Sequence, residues 1–189
     1  AIIQGSIQKL PIAKRMRWGA NRVEFVRSVH WVVAMLGADC IHDEILGLAT
    51  GNKTYGHRFH SPGEIQLASA LDYEQELSRA KVIADFERRR EIIRDQVETA
   101  ASALGATAAI DEALLDEVTG LVEWPVALTG SFEQRFLQVP AEALVSSMKE
   151  HQKYFPVVDA QGELLPNFIT VSNIESKDPN QVIAGNEVR

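Results

Sequence analysis

The stretch DEALLDEVTGLVEWPVALTGSF, Asp111–Phe132, contains the two kinds of element that decide the fold class. Asp111 is a good N-cap, because its carboxylate can accept hydrogen bonds from free backbone N–H groups, and it predicts a helix over Glu112–Val122. Pro125 cannot lie inside a helix, and Val126–Phe132 alternates like a half-buried strand. A helix followed at once by a strand predicts a mixed fold.

The same mixture continues on both sides of this stretch. Downstream, Pro140 predicts the first residue of the helix PAEALVSSMKEHQ, and KYFPVVDAQGELLPNFITVSNI predicts two strands joined at DAQG. Upstream, Asp85 predicts the N-cap of a helix that runs to Leu104 and is terminated by Gly105. Strands and helices do not follow regular βαβ spacing, so the prediction is α+β, with mainly antiparallel strands and interleaved helices.

The first third of the chain is rich in β-branched and aromatic residues. Ile2–Leu10 predicts the end of a helix, Glu24–Gly37 one or two strands, and Cys40–Gly51 a further strand in which Gly47 marks a bulge. In the long helix after Asp85, the segment ERRREIIR interleaves both signs of charge, which predicts an exposed face with i,i+4 ion pairs.

Length and composition describe an ordinary globular chain. The 189 residues are 46% hydrophobic and 24% charged, and no Pro- or Gly-rich linker divides them. We therefore expect one α+β domain over residues 1–189, with a helical lead-in over 1–12 and an exit segment over 174–189. No window approaches the ~20 apolar residues of a membrane span, so no membrane partner is expected. A single cysteine, Cys40, suits a reducing compartment, and the expected location is cytoplasmic.

The charge is distributed unevenly along the chain. Residues 1–60 carry eight Lys and Arg against four Asp and Glu, whereas residues 61–189 carry eleven against twenty-two. A basic first third on an acidic chain is compatible with an anionic partner on one face. The alternative, that these cations are simply solvated, stays open.

The motif GHRFHSP, Gly56–Pro62, is the main candidate site. His57 and His60 could supply two metal ligands, but further ligands are distant in sequence and there is no HExxH or CxxC pair, so no metal is expected. Ser61 follows His60 directly and has no Gly-x-Ser-x-Gly turn, so no catalytic residue is predicted. The chain also has no P-loop and no GxGxxG, so no cofactor is expected in it.

Contact with an anion is the interpretation that remains. Cationic, imidazole and aromatic side chains can donate to phosphates and stack on exposed bases, as in the recognition of RNA ends and loops. A hydrogen-bonded turn that stabilises the fold explains the same residues equally well. The candidate residues for this contact come from three segments: Lys14, Arg15 and Arg17; Lys53, Tyr55, His57, Arg58 and His60; and Lys149, His151 and Lys153.

Seven strings, in order, cover nearly the whole chain and carry a family resemblance. They are LPIAKRMRWG, FVRSVHWVV, GHRFHSPG, KVIADFERRREII, DEALLDEVTGLVEWPVALTGSF, VPAEALVSSMKEHQKYFPV and LLPNFITVSNIESKDPNQVIAGNE. Together they closely resemble the β subunit of bacterial glycyl-tRNA synthetase, an αβ heterotetramer. The resemblance implies an interior piece from the N-terminal half of a long β chain. It also implies a fold similar to the editing-type domain of the phenylalanyl-tRNA synthetase β subunit.

The resemblance also implies a function. The whole enzyme is a glycine–tRNA ligase, and its α subunit carries the class II active site for glycine, ATP and Mg²⁺. The expected role of this piece is tRNA contact and subunit scaffolding, with glycine tRNA and the α subunit as partners. Two alternatives stay open: an editing hydrolase that acts on mischarged tRNA, and a purely structural module that binds the α subunit.

Overall fold

The computed structural model describes residues 2–20 and 22–175. The chain divides into two compact units, Ala1–Ala80 and Lys81–Arg189, which are described separately. Helices and mostly antiparallel strands occur in both, so the predicted α+β class is confirmed. The single domain stays a prediction, because this division does not test whether the two units fold independently. The likeness to an editing-type domain also stays a prediction. Most of the predicted exit segment lies outside the described residues.

The first unit is built from short elements. Helix α1 spans Ile2–Gln8, as the sequence predicts, and α2 spans Tyr73–Arg79. The strands are β1 Met16–Arg17, β2 Glu24–Phe25, β3 Val32–Val33, β4 Met35–Leu36, β5 Asp39–Cys40, β6 Glu44–Ile45, β7 Leu48–Gly51, β8 Lys53–Tyr55 and β9 Glu64–Gln66. The longer strands predicted over this region are therefore wrong in extent, since each is divided into pieces.

The predicted bulge at Gly47 is also wrong. Strands β6 and β7 pair antiparallel with Ile45 opposite Leu48, so Leu46 and Gly47 form a two-residue turn. Both turn residues have positive φ, 53° and 75°, as the twist of a tight hairpin requires. Gly47 therefore lies where the chain reverses direction. The prediction was wrong because the apolar residues before and after the turn have the pattern of one continuous strand.

The second unit is a four-stranded antiparallel sheet with helices on both faces. Its helices are α3 Phe86–Ala103, α4 Glu112–Leu121 and α5 Ala141–Ser147, and its strands are β10 Thr107–Ala108, β11 Val126–Ser131, β12 Phe155–Val158 and β13 Leu164–Ser172. The strand order is β10-β12-β13-β11. The stretch that opened the sequence analysis is confirmed, because Asp111 accepts hydrogen bonds from the N–H groups of Ala113 and Leu114 at the start of α4.

Two apolar clusters lie on opposite faces of this sheet. Ile169 and Phe155 belong to the cluster that contains the buried residues of α3 and α4. Their chain neighbours Phe168 and Tyr154 belong to a second cluster, with Met148. Successive side chains on a strand point to opposite faces, so α3 and α4 cover one face and the segment containing Met148 lies on the other.

The predicted helix boundaries hold at α3 and shift at α5. Asp85 accepts from the Arg88 N–H at 2.7 Å, and Gly105 has φ +67° just after the helix. Pro140 is the N-cap of α5 and precedes its first helical residue. The predicted single helix to Gln152 changes after Ser147 into a π-helical turn, Met148–Gln152.

The predicted i,i+4 ion pairs of α3 are replaced by contacts between helices. Arg90 pairs with Glu112 and Asp116 of α4, and Arg94 pairs with Glu112 at 2.6 Å. The interleaved charges of α3 therefore join it to α4. The sequence shows which charges are available but does not show which helix lies alongside. Among the described residues, no helix has the length and apolar character needed to cross a membrane.

Candidate nucleic-acid interface

The GHRFHSP motif forms most of the connection between two paired strands. Strands β8 and β9 are antiparallel, with Tyr55 opposite Glu64, and residues 56–63 join them. We call residues 56–63 the histidine loop. At its base, a Cβ on Gly56 would lie only 2.4 Å from the Ala80 Cβ, so only glycine fits this approach.

His57 is buried and closes the turn. Its backbone N–H donates to the Ala80 carbonyl at 2.8 Å, and its carbonyl accepts from the Ser61 N–H at 2.9 Å. Its Nδ1 accepts from the N–H groups of Phe59 and His60, at 3.2 and 3.3 Å. Nδ1 therefore serves as the acceptor that satisfies two backbone N–H groups of the turn. With 1% of its surface exposed, His57 shapes the loop from inside.

Arg58 and Phe59 form the exposed tip of the histidine loop. Phe59 is 68% exposed, although large apolar side chains are usually buried. The Arg58 guanidinium carbon lies 5.9 Å from the centre of the Phe59 ring, a cation–π geometry. His60 is half-buried, with its ring centre 4.6 Å from that of His57. The loop thus presents one cation and one aromatic face on a hydrogen-bonded base.

Beside the histidine loop there are also a pair of aromatic rings and a lysine whose charge is balanced by a glutamate. The rings of Tyr55 and Trp31 are 4.6 Å apart, and both side chains are partly exposed. The Lys53 ammonium pairs with Glu64 at 2.8 Å, and this hydrogen bond raises the pKa of Lys53. Trp31 was not among the predicted site residues, because only the folded chain brings it against Tyr55.

The amino-terminal cations lie on other elements of the first unit. Arg17 pairs with Glu24 at 2.6 Å across β1 and β2, and Arg15 donates to the Gln8 carbonyl at 3.0 Å. Arg15 and Arg17 line one groove of about 620 Å³, and Lys14 is exposed. Among the described residues, no hydrogen bond or ion pair of these three cations reaches the histidine loop.

The third predicted segment belongs to the second unit, and its lysines are paired. Lys149 contacts Asp111 at 3.2 Å and Lys153 contacts Glu117 at 2.9 Å, while His151 is exposed. Hydrogen bonds from the Leu114 N–H and from Lys149 lower the pKa of Asp111. These contacts join the segment to α4, and each of its two lysines is paired with a carboxylate.

Within the described residues, no three His, Cys, Asp or Glu side chains lie close enough together to hold a metal ion. His57 and His60 are neighbours, but their imidazoles are arranged around a turn. The geometry around residues 53–60 combines an exposed cation, an exposed ring and a rigid base. These groups can donate to a phosphate and stack on a base.

Comparison with known proteins gives a consistent result over the whole chain. A family model described as "Glycyl-tRNA synthetase beta subunit" matches residues 1–188. The "Glycine--tRNA ligase beta subunit" of Chromohalobacter salexigens is 62% identical over 187 residues, which cover 99% of this chain and 27% of that protein. The proteins of the same name from Hahella chejuensis and Marinobacter nauticus are 58% and 57% identical. Their matches cover 99% and 98% of this chain and 27% of each relative, so the chain spans about a quarter of their length.

Proposed function

The chain belongs to the glycyl-tRNA synthetase beta subunit family, and from this premise we propose that it is part of a glycine–tRNA ligase. The whole enzyme attaches glycine to its tRNA with ATP, in the cytoplasm, and an α subunit holds ATP and Mg²⁺. The role of this piece is tRNA contact and scaffolding, with glycine tRNA and the α subunit as partners. Identity of 57–62% over 98–99% of this chain supports the assignment.

The tip of the histidine loop carries the proposal of tRNA contact. Arg58 and Phe59 are exposed side by side, on a turn that the buried His57 holds in shape. A guanidinium neutralises a phosphate, and stacking of one base on an aromatic ring contributes roughly 1–3 kcal/mol. Backbone hydrogen bonds to His57 hold the base of the loop, which reduces the conformational entropy that the backbone would lose on binding.

An apolar surface of the first unit favours the scaffolding role. The Ala70 N–H donates to the Gly37 carbonyl at 2.7 Å, which brings the segments of Leu36 and Leu71 together. These two side chains are 75% and 90% exposed. Adjoining them, a groove of about 500 Å³ is lined almost wholly by apolar side chains, among them Trp31 and Met35. Apolar surface of this kind marks protein interfaces, and the α subunit is the proposed occupant.

The tRNA contact can be tested with two matched arginine variants in the assembled enzyme. Arg58→Ala removes the cation at the loop tip, and Arg79→Ala removes an exposed arginine of α2 that pairs with Glu76. We expect Arg58→Ala to weaken tRNA binding several-fold at low salt and to reduce the slope of log affinity against log salt by about 1. Arg79→Ala should change the affinity less than twofold.

Unchanged affinity and slope for Arg58→Ala would remove the loop tip from the RNA interface. The same preparations should be incubated with mischarged tRNA. Deacylation that depends on this chain would instead support the editing alternative.

A further inference from the structure

A cavity of the second unit lies on the face of its sheet opposite α3 and α4. We call it the aromatic pocket, and its apolar lining is Phe132, Phe136, Leu144, Met148, Tyr154 and Phe168. Its volume is about 330 Å³, within the range of about 300–1,000 Å³ of small-molecule sites. Unlike the grooves of the first unit, it is lined by four aromatic rings on one side of a sheet.

The floor of the aromatic pocket is a rigid stack of two rings. Tyr154 and Phe168 lie 4.2 Å apart with their planes 10° from parallel. Below them, a Cβ on Gly130 would lie 2.2 Å from the Phe168 Cζ, so this ring rests directly on the backbone of β11. Tyr154 and Phe168 are each only 3% exposed, so they form the buried floor, whereas the Phe132 and Phe136 rings of the lining are half-buried.

One wall of the aromatic pocket is irregular backbone. Met148 and Gln152 are the two ends of the π-helical turn, and both line the cavity. The next residue, Lys153, has φ +58°, which a non-glycine residue adopts at an energetic cost. The Tyr154 N–H then donates to the Met148 carbonyl at 3.0 Å. Single π turns and strained residues concentrate at functional sites. Here they bring Met148, Gln152 and Tyr154 into the lining of the aromatic pocket.

The mouth of the aromatic pocket is polar. Four exposed side chains line it: Ser131, Glu133, Ser147 and Gln152. Glu133 pairs with Arg135 at 2.8 Å, so a carboxylate and a guanidinium lie side by side there. Carboxylates accept hydrogen bonds from the amino groups of bases, and glutamine amides can both donate to and accept from a base edge. A guanidinium can pair with the phosphate that accompanies a base.

We propose that the aromatic pocket binds one unpaired nucleobase of an RNA. This inference rests on the proposed contact with tRNA and names the chemical group that the second unit holds. A base offers flat faces to the half-buried rings of Phe132 and Phe136 and a polar edge to the mouth. An aliphatic side chain from the rest of the polypeptide is the competing occupant, but it would use neither the flat faces of the half-buried rings nor the paired charges at the mouth.

The test compares two neighbouring serines of α5 in the full-length polypeptide that contains this chain. Ser147 lines the aromatic pocket, and Ser146 faces the groove beside Asp111 and Glu117. The probes are the 5′-monophosphates of adenosine, cytidine, guanosine and uridine, detected by saturation-transfer NMR at their base protons. We expect saturation of at least one base, binding at least tenfold weaker for Ser147→Phe, and a change of less than twofold for Ser146→Phe.

Absence of saturation for all four probes, or equal effects of the two variants, would overturn the proposal. If Ser147→Phe lowers the folded fraction in circular dichroism, Phe136→Leu decides, because it keeps the pocket apolar and removes one ring. Binding at least threefold weaker for Phe136→Leu supports the proposal, and unchanged binding overturns it. If the aromatic pocket binds no base, Arg58→Ala should still reduce the slope of log tRNA affinity against log salt. If the histidine loop does not contact tRNA, that reduction is lost, while the binding of the monophosphates is unchanged. The two proposals can therefore fail separately.

Discussion

At the scale of single residues, the histidine loop contains a buried residue, His57, directly beside exposed ones. The sequence left open whether the loop binds an anion or stabilises the fold. The structure gives His57 the contacts of a fold-stabilising turn, because its ring accepts two backbone N–H groups from inside the protein. Arg58 and Phe59, directly beside it, have the exposure that a contact with tRNA needs. For His57 and Arg58, which the sequence analysis named as candidates, that contact stays a prediction.

The main expected effect of His57→Ala is therefore a loss of stability and not a direct loss of tRNA binding. Two N–H groups of the loop would lose their acceptor and a buried ring would be removed, which should lower the free energy of unfolding by about 1–3 kcal/mol. The measurement is a urea melt followed by circular dichroism. The control His42→Ala, at an exposed histidine of the same unit, should change the free energy of unfolding by less than about 0.5 kcal/mol. Equal melts for the wild type and His57→Ala would show that the turn does not depend on the imidazole.

At the scale of elements, the segment after α5 is held to α4 by charge. Lys149 and Lys153 were predicted as phosphate donors, and the structure places both against carboxylates, Asp111 and Glu117. A phosphate would have to compete with these carboxylates. Asp111 also caps α4, so one side chain joins the start of a helix to a neighbouring segment.

Asp111→Asn should reduce the sensitivity of the chain to acid. The Leu114 N–H and Lys149 hold the pKa of Asp111 below its ordinary value of 3.8. A lowered pKa means stabilisation that is complete above the unfolded value and is lost as pH falls through the folded value. Urea melts between pH 5.5 and about 2.5 should show a smaller loss of stability in Asp111→Asn, which keeps a good N-cap, than in the wild type.

A control for this measurement is Glu98→Gln, which removes an exposed carboxylate of α3. It should leave the acid dependence close to that of the wild type. Parallel curves for Asp111→Asn and the wild type would show that the contacts with the Leu114 N–H and Lys149 do not lower the pKa of Asp111 in solution.

At the scale of the whole molecule, the two units differ in how much apolar surface they bury. Both apolar clusters of the described residues belong to the second unit. Among the described residues of the first unit, the buried apolar side chains are Ile45, Leu67, Leu77 and Ala80. Short strands with little core and large exposed apolar side chains are typical of a surface that another protein covers. This contrast supports the scaffolding role proposed for the first unit.

Leu71→Ser tests that role in the full-length polypeptide. The side chain is 90% exposed, so its removal should leave the melting temperature nearly unchanged. If the α subunit covers this surface, its affinity should fall roughly tenfold, as for a central apolar contact. The matched control is Leu121→Ser, at a leucine of the second unit that is 57% exposed. Equal affinities for the wild type and both variants would exclude Leu71 from the subunit interface.

Local signals in the sequence were enough for many element boundaries. Asp85 and Asp111 each start a helix, Gly105 follows the end of one, and the strand after Pro125 begins where the alternation predicts it. These signals work because a cap, a proline or a positive φ acts on its nearest neighbours. They failed in the first unit, where a turn at Leu46–Gly47 interrupts an apolar run without any break in its pattern.

The sequence by itself determined the α+β class, the helix starts and the family, because each depends on local chemistry or on identity along the chain. Only the tertiary structure decided that His57 points inward and that Lys149 and Lys153 meet α4. It also decided that Phe132, Tyr154 and Phe168, far apart in the chain, enclose one pocket. The physical reason is that burial, ion pairing and cavities depend on which distant segments pack together, and no short-range pattern specifies that packing.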